Sequence, residues 1–127
     1  GKGKIALNMR YPVTFDFESG WSVLEKVGAD NGFSIQMKTH LGPHHVDANS
    51  ELVKTLQKIY EEHTGEEAEL LAIGGGTYAR AIKNAVAFGP LFPGREDVAH
   101  QKDEYIIIED LLKATAMYAQ AIYELTR

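Results

Sequence analysis

At 127 residues with 44% hydrophobic and 24% charged side chains, the chain has the size and balance of one ordinary globular domain, which excludes a disordered or fibrous polypeptide. A formal charge of -5 argues against the concentrated positive face that nucleic acid or an anionic membrane requires, and no apolar run approaches the roughly 20 residues of a membrane span. Cysteine is absent, which removes disulfides, thiolate catalysis and Cys-type metal sites and fits a reducing, cytoplasmic setting.

The sequence opens on Gly1-Lys2-Gly3-Lys4, without an initiator methionine or an apolar leader, and is expected to begin inside a domain. Ile5, Leu7 and Met9 alternate with Ala6, Asn8 and Arg10, predicting a half-buried strand that Pro12 ends. Trp21, Val23, Leu24 and Val27 fall at helical spacing before the stop Asn31-Gly32. Phe33, Ile35 and Met37 then predict a second strand, ended by Gly42-Pro43. Residues 4–41 thus read as a β-α-β unit, with a domain boundary near residues 42–47.

Asp47 or Asn49 can cap the next helix, whose apolar face is Leu52, Val53, Leu56, Ile59 and Tyr60 and whose stop is Gly65. Leu70 to Ile73 predicts a short buried strand opening into Gly74-Gly75-Gly76, a short helix over 77–84 and a further strand over 86–88. Gly89 to His100 holds two prolines and two glycines, a loop long enough to suggest function. The last helix is marked by Ile108, Leu111, Leu112, Thr115, Tyr118, Ile122 and Leu125.

Gly74-Gly75-Gly76-Thr77-Tyr78-Ala79 matches G-x-G-x-x-A after a predicted strand, with Glu96 and Asp97 about 20 residues on, as in a dinucleotide site. The following helix is too short and Glu96 lies in a loop, so what survives is a glycine turn able to meet an anion such as a carboxylate, or a plain tight turn. Among the histidines, His40, His44 and His45 have metal-like spacing but no nearby carboxylate before Asp47, and His63 suits a helix C-terminus. His100 differs, because a glycine- and proline-rich loop can aim its imidazole into a cleft. Glu61, Glu62, Glu66, Glu67 and Glu69 read as solvated charge rather than paired catalytic carboxylates. No G-x-S-x-G and no H-E-x-x-H occurs. Arg10 shares a predicted strand face with Asn8, either a grip for a carboxylate or an exposed arginine on a sheet.

Three blocks in order, Ile73-Gly74-Gly75-Gly76-Thr77-Tyr78-Ala79-Arg80, Phe88-Gly89-Pro90-Leu91-Phe92-Pro93-Gly94 and His100-Gln101-Lys102-Asp103-Glu104-Tyr105, resemble the C-terminal end of bacterial Xaa-His dipeptidases of the dipeptidase V type. These belong to a di-zinc metallopeptidase family that also holds carnosinases, succinyl-diaminopimelate desuccinylases and glutamate carboxypeptidases. Asn8-Met9-Arg10-Tyr11-Pro12 and residues 51–65 extend the resemblance over nearly the whole chain. It implies an α/β protein in which residues 1–43 are the second half of a ferredoxin-like lid (β-α-β) and residues 44–127 the C-terminal portion of the α/β catalytic domain.

The resemblance further implies two zinc ions in the intact enzyme, with His100 as a metal ligand and Glu104 as a residue that supports it. Arg10, with Asn8 beside it, and the loop Gly75, Gly76 and Thr77 would hold the carboxylate of a dipeptide substrate. The family's general base and other ligands come from an N-terminal half: a His-x-Asp pair, a bridging aspartate, a Glu-Glu pair and a further aspartate. None of those blocks is in this sequence, and Glu61-Glu62 and Glu66-Glu67 lie in the wrong segment to replace them. A fragment is therefore expected that is catalytically silent alone, holds no zinc tightly and self-associates through the surface its missing half covers. Two alternatives stand beside it, a related N-acyl amino acid deacylase and a stand-alone anion-binding α/β module.

Overall fold

The computed structural model describes residues 3–127, which divide into two units between His45 and Val46. In the first, α1 spans Phe17–Asp30. It starts where Asp16 leaves helical geometry, with the Asp16 carboxylate accepting a hydrogen bond from the Ser19 hydroxyl; this hydrogen bond holds the carboxyl below its usual range. It ends at Asn31, whose side-chain amide donates to the Val27 carbonyl at 2.8 Å, followed by Gly32 at φ 74°, a left-handed position that suits glycine.

After that turn the chain folds back on the helix. The Phe33 N–H donates to the Gly28 carbonyl at 3.0 Å. Gly28 is buried, and a Cβ there would lie 3.0 Å from the Phe33 carbonyl oxygen and 3.1 Å from Ile35 Cγ1. The segment expected to be the second strand of a β-α-β unit is thus occupied with the helix end.

In the second unit α2, Glu51–Thr64, and α3, Ile108–Thr126, pack on each other. Ser50, not Asp47 or Asn49, caps α2 by accepting the Val53 N–H at 3.3 Å, while Asp47 takes the Asn49 N–H at 2.8 Å in the preceding turn. Gly65 closes α2 at φ 74° with its N–H on the Glu61 carbonyl. Leu56, Ile59, Met117 and Ala121 form the core between the helices, Ile59 being 1% exposed, with Val86, Phe88 and Phe92 packed against it. Gln120 on α3 bridges to α2, hydrogen-bonded to His63 Nε2 and donating to the Glu62 carboxylate, each at 2.8 Å.

Among the described residues there are three α-helices, one 3-10 turn at Tyr78–Ala81, and no strand. This corrects the β-α-β expectation for 4–41 and the strands expected over 70–73 and 86–88. A period-2 pattern only says which residues share a face; a strand also needs a neighbour for its N–H and C=O groups, and two strands alone are marginal. Ile5 and Leu7, set by that pattern for a core, stand 85% and 78% exposed. The helix expected over 77–84 shrinks to a single 3-10 turn because Ile82 already has extended geometry. None of the described helices is long and apolar enough to cross a membrane.

Tyr118 on α3 fixes the start of the Gly89–His100 loop. Its hydroxyl donates to the Phe88 carbonyl at 2.9 Å, its ring meets Phe88 edge-on, and burial raises its pKa. Gly89 sits at φ 68°, where a Cβ would fall 2.9 Å from the Tyr118 hydroxyl oxygen. Gly89→Ala is therefore expected to destabilise the chain by roughly 1–3 kcal/mol, through left-handed strain and loss of the Tyr118 contact. Urea unfolding followed by circular dichroism measures this; an unchanged midpoint would show that Tyr118 simply moves aside.

Candidate functional site

The segment between Phe88 and α3 has no regular structure, yet it is fixed at two places. One is the Tyr118 contact. The other is a bidentate pair in which Arg95 Nε and Nη2 donate to the two Asp110 carboxylate oxygens at 2.8 and 2.9 Å. Asp110, in the first turn of α3, is only 5% exposed, and its carboxylate, by accepting these hydrogen bonds, raises the pKa of the Arg95 guanidinium. A fork-to-fork pair specifies orientation as well as contact, so it sets the path of the loop across α3. Neither residue stands out in the sequence: Asp110 looks like an ordinary acidic residue of a helix first turn, and Arg95 like a loop cation.

Beneath this loop lies an open groove of about 450 Å³, lined by Pro90, Leu91, Val98, Tyr105 and Ile107 with Arg95 and Asp110 on its polar side. Ala99 and Glu104 reach it, whereas His100 does not line it. His100 stands at φ 64° and is exposed. Its backbone N–H donates to Glu104 Oε2 at 3.1 Å, and Gln101 is tied back to the Asp97 carbonyl at 2.8 Å. Glu104 thus meets His100 through the main chain, in a turn that precedes α3.

Gly75, Gly76 and Thr77 form an exposed loop before the 3-10 turn. The Thr77 hydroxyl accepts the Ala79 N–H at 3.3 Å, and a Cβ on Gly76 would first meet the Arg80 side chain, Nη1 at 2.9 Å and Cδ at 3.0 Å. Four residues of 3-10 turn supply no helix N-terminus of the kind a dinucleotide pyrophosphate uses, so the fingerprint reading is not met. Asn8 and Arg10 lie in the first unit, exposed, in a segment without regular structure.

Two of the other histidines have side-chain partners: His40 Nε2 is hydrogen-bonded to the Tyr11 hydroxyl, and His63 is held by Gln120. The acidic residues of α2 likewise do structural work, Glu61 accepting the Ala68 N–H and Glu62 facing Lys58 and Gln120. Among the described residues no three His, Asp or Glu side chains gather as a metal site. A zinc site takes at least three protein donors, so His100 with this chain's neighbours does not amount to one.

The profile of the peptidase family M20/M25/M40 matches residues 4–124. The chain belongs to this family. Over 125 residues it is 54% identical to a protein of Bacillus subtilis strain 168 named "Putative dipeptidase YtjP", covering 98% of this chain and 26% of that protein. It is 42% identical over 123 residues to a "Putative dipeptidase" of Staphylococcus epidermidis, and equally to "Putative dipeptidase SH1171" of Staphylococcus haemolyticus, each over 97% of this chain and 26% of the relative. The chain thus spans about a quarter of the length of these curated relatives.

Proposed function

We propose that this chain is the closing part of a cytoplasmic zinc-dependent dipeptidase of the Xaa-His type. What supports the reading is the 54% identity with a protein named as a dipeptidase, running across almost the whole of this chain and so through all three sequence blocks. In the intact enzyme residues 1–43 belong to a lid, where the alternating segments 5–9 and 33–37 find strand neighbours, and residues 44–127 belong to the catalytic domain. Zinc, when bound by His100 together with ligands outside this chain, supplies electrophilic assistance to peptide hydrolysis.

This chain's own part is to hold the substrate. The Arg10 guanidinium, with Asn8 near it in sequence, grips the C-terminal carboxylate of the dipeptide, and the main-chain N–H groups of Gly75, Gly76 and Thr77 serve substrate binding as hydrogen-bond donors. Holding the substrate by that charge places the one peptide bond of a dipeptide at the reacting centre, and a longer peptide carries its carboxylate out of reach. Without the rest of the enzyme the chain is inactive.

A substrate panel on the full-length enzyme tests the proposal. Dipeptides with a free carboxylate, including Xaa-His, are expected to be cleaved, with tripeptides and dipeptide amides at least roughly tenfold poorer in kcat/KM. Preference for N-acyl amino acids would make it a deacylase instead. Stabilisation of this chain by phosphate or a nucleotide in a thermal-shift assay would favour an anion-binding module.

A further inference from the structure

The first unit holds an aromatic cluster that the proposed chemistry leaves without a role. Phe17, at the start of α1, stacks on His40 with ring centroids 3.7 Å apart and planes 14° from parallel. Tyr11 stacks on Phe17 at 5.5 Å and lies 6.0 Å from the His40 ring, Phe15 packs against Tyr11 at 5.5 Å, and Trp21 extends the stack from Phe17 at 6.2 Å. The Tyr11 hydroxyl and His40 Nε2 share a short hydrogen bond. Residues 29 positions apart are thereby joined both by ring faces and by their polar tips.

The position of this joint gives it a consequence. Tyr11 directly follows Arg10, and Tyr11 is half-buried in the cluster while Arg10 is exposed. Through its ring on Phe17 and its hydroxyl on His40, Tyr11 ties down the backbone immediately after Arg10. A bidentate grip on a carboxylate tolerates little angular error, and a misplacement of about 1 Å costs heavily in binding and rate.

We propose that His40 is a positioning residue for Arg10, acting through Tyr11: the Tyr11–His40 pair, seated on Phe17, aims the guanidinium at the substrate carboxylate. The inference rests on the proposed role of Arg10 and adds His40, Tyr11 and Phe17 as the parts that make this arginine selective for a free carboxylate. A histidine with metal-like spacing to its neighbours thus serves the substrate side of the site.

The test is a double-mutant cycle in the full-length enzyme, with KM and kcat measured on a dipeptide and on the corresponding dipeptide amide. His40→Ala is expected to raise KM for the dipeptide roughly three- to tenfold, the scale of one lost hydrogen bond. The change in kcat should be smaller, and the amide should be little affected. His40→Gln, whose carboxamide can still reach the Tyr11 hydroxyl, should recover part of the loss, and Tyr11→Phe should reproduce it. In an Arg10→Lys background His40→Ala should add nothing, because there is no longer a fork to aim.

Equal effects of His40→Ala in both backgrounds, or equal losses on acid and amide, would overturn the inference and leave the cluster a purely structural one. The milder Gln and Phe variants decide the matter if His40→Ala does not fold. If Arg10→Lys by itself changes nothing, the carboxylate role of Arg10 fails, and the inference falls with it. If Arg10→Lys is strongly impaired but shows no coupling to His40, the role of Arg10 stands and the positioning role alone is lost.

Discussion

In the full-length enzyme His100→Ala is expected to lower dipeptidase activity on the order of 10²-fold or more and to remove metal from the purified protein. Loss of a residue that merely supports a metal ligand already costs about 10–100-fold in affinity or activity, so loss of a ligand itself should cost at least as much. The loop should survive the change. Its course is set by Arg95 on Asp110 and by Tyr118 on Phe88, and the contact between residues 100 and 104 runs through the backbone N–H of His100, not its imidazole. Metal analysis should therefore show a deficit while circular dichroism and the thermal midpoint stay close to those of the parent. Full metal content with full activity would remove His100 from the metal site.

Arg10→Lys in the same enzyme should lower kcat/KM for dipeptides by about 2–4 kcal/mol, or roughly 30- to 10³-fold. A planar pair of donors is replaced by a compact ammonium that cannot reproduce two parallel hydrogen bonds to a carboxylate. Truncating one partner of a hydrogen-bonded charge pair typically costs this much when the other is left unmatched. The ratio of dipeptide to dipeptide-amide cleavage should collapse towards one, and metal content should not change. Unaltered kinetics on both substrates would assign the carboxylate to another cation.

The helices were the legible part of this chain. Their apolar spacing, from Leu52 to Tyr60 and from Ile108 to Leu125, locates α2 and α3, but only in α2 is the marked face the buried one: α3 turns Ala114, Met117 and Ala121 inward and leaves Ile108, Leu112 and Ile122 exposed, while Gly65 marks a stop that the structure uses at φ 74°. Local chemistry decides such features, so one stretch of sequence contains them. The strands were overread for the opposite reason: alternation at Ile5, Leu7 and Met9 is a local property, whereas a ladder depends on a neighbour that local pattern does not supply. The contacts that shape the candidate site were hidden in another way. Arg95 with Asp110, Tyr118 with Phe88 and Tyr11 with His40 are 15, 30 and 29 positions apart, and each residue has an unremarkable neighbourhood of its own. The wording of the three blocks pointed to the peptidase family all the same, because it records side-chain identities directly and needs no geometry.

The α2/α3 contact also has a polymer consequence. Residues 65–107 leave one helix and return to the other, so the pair ties off a single long excursion of chain that includes both Gly75–Thr77 and His100. The entropy of closing such a loop grows only slowly with its length, and the Leu56, Ile59, Met117 and Ala121 core meets that cost once for the whole excursion. Parting the helices opens this excursion as a whole, yet its two halves differ: the stretch before His100 stays tied to α3 through Arg95 on Asp110 and Tyr118 on Phe88, a tether that owes nothing to α2.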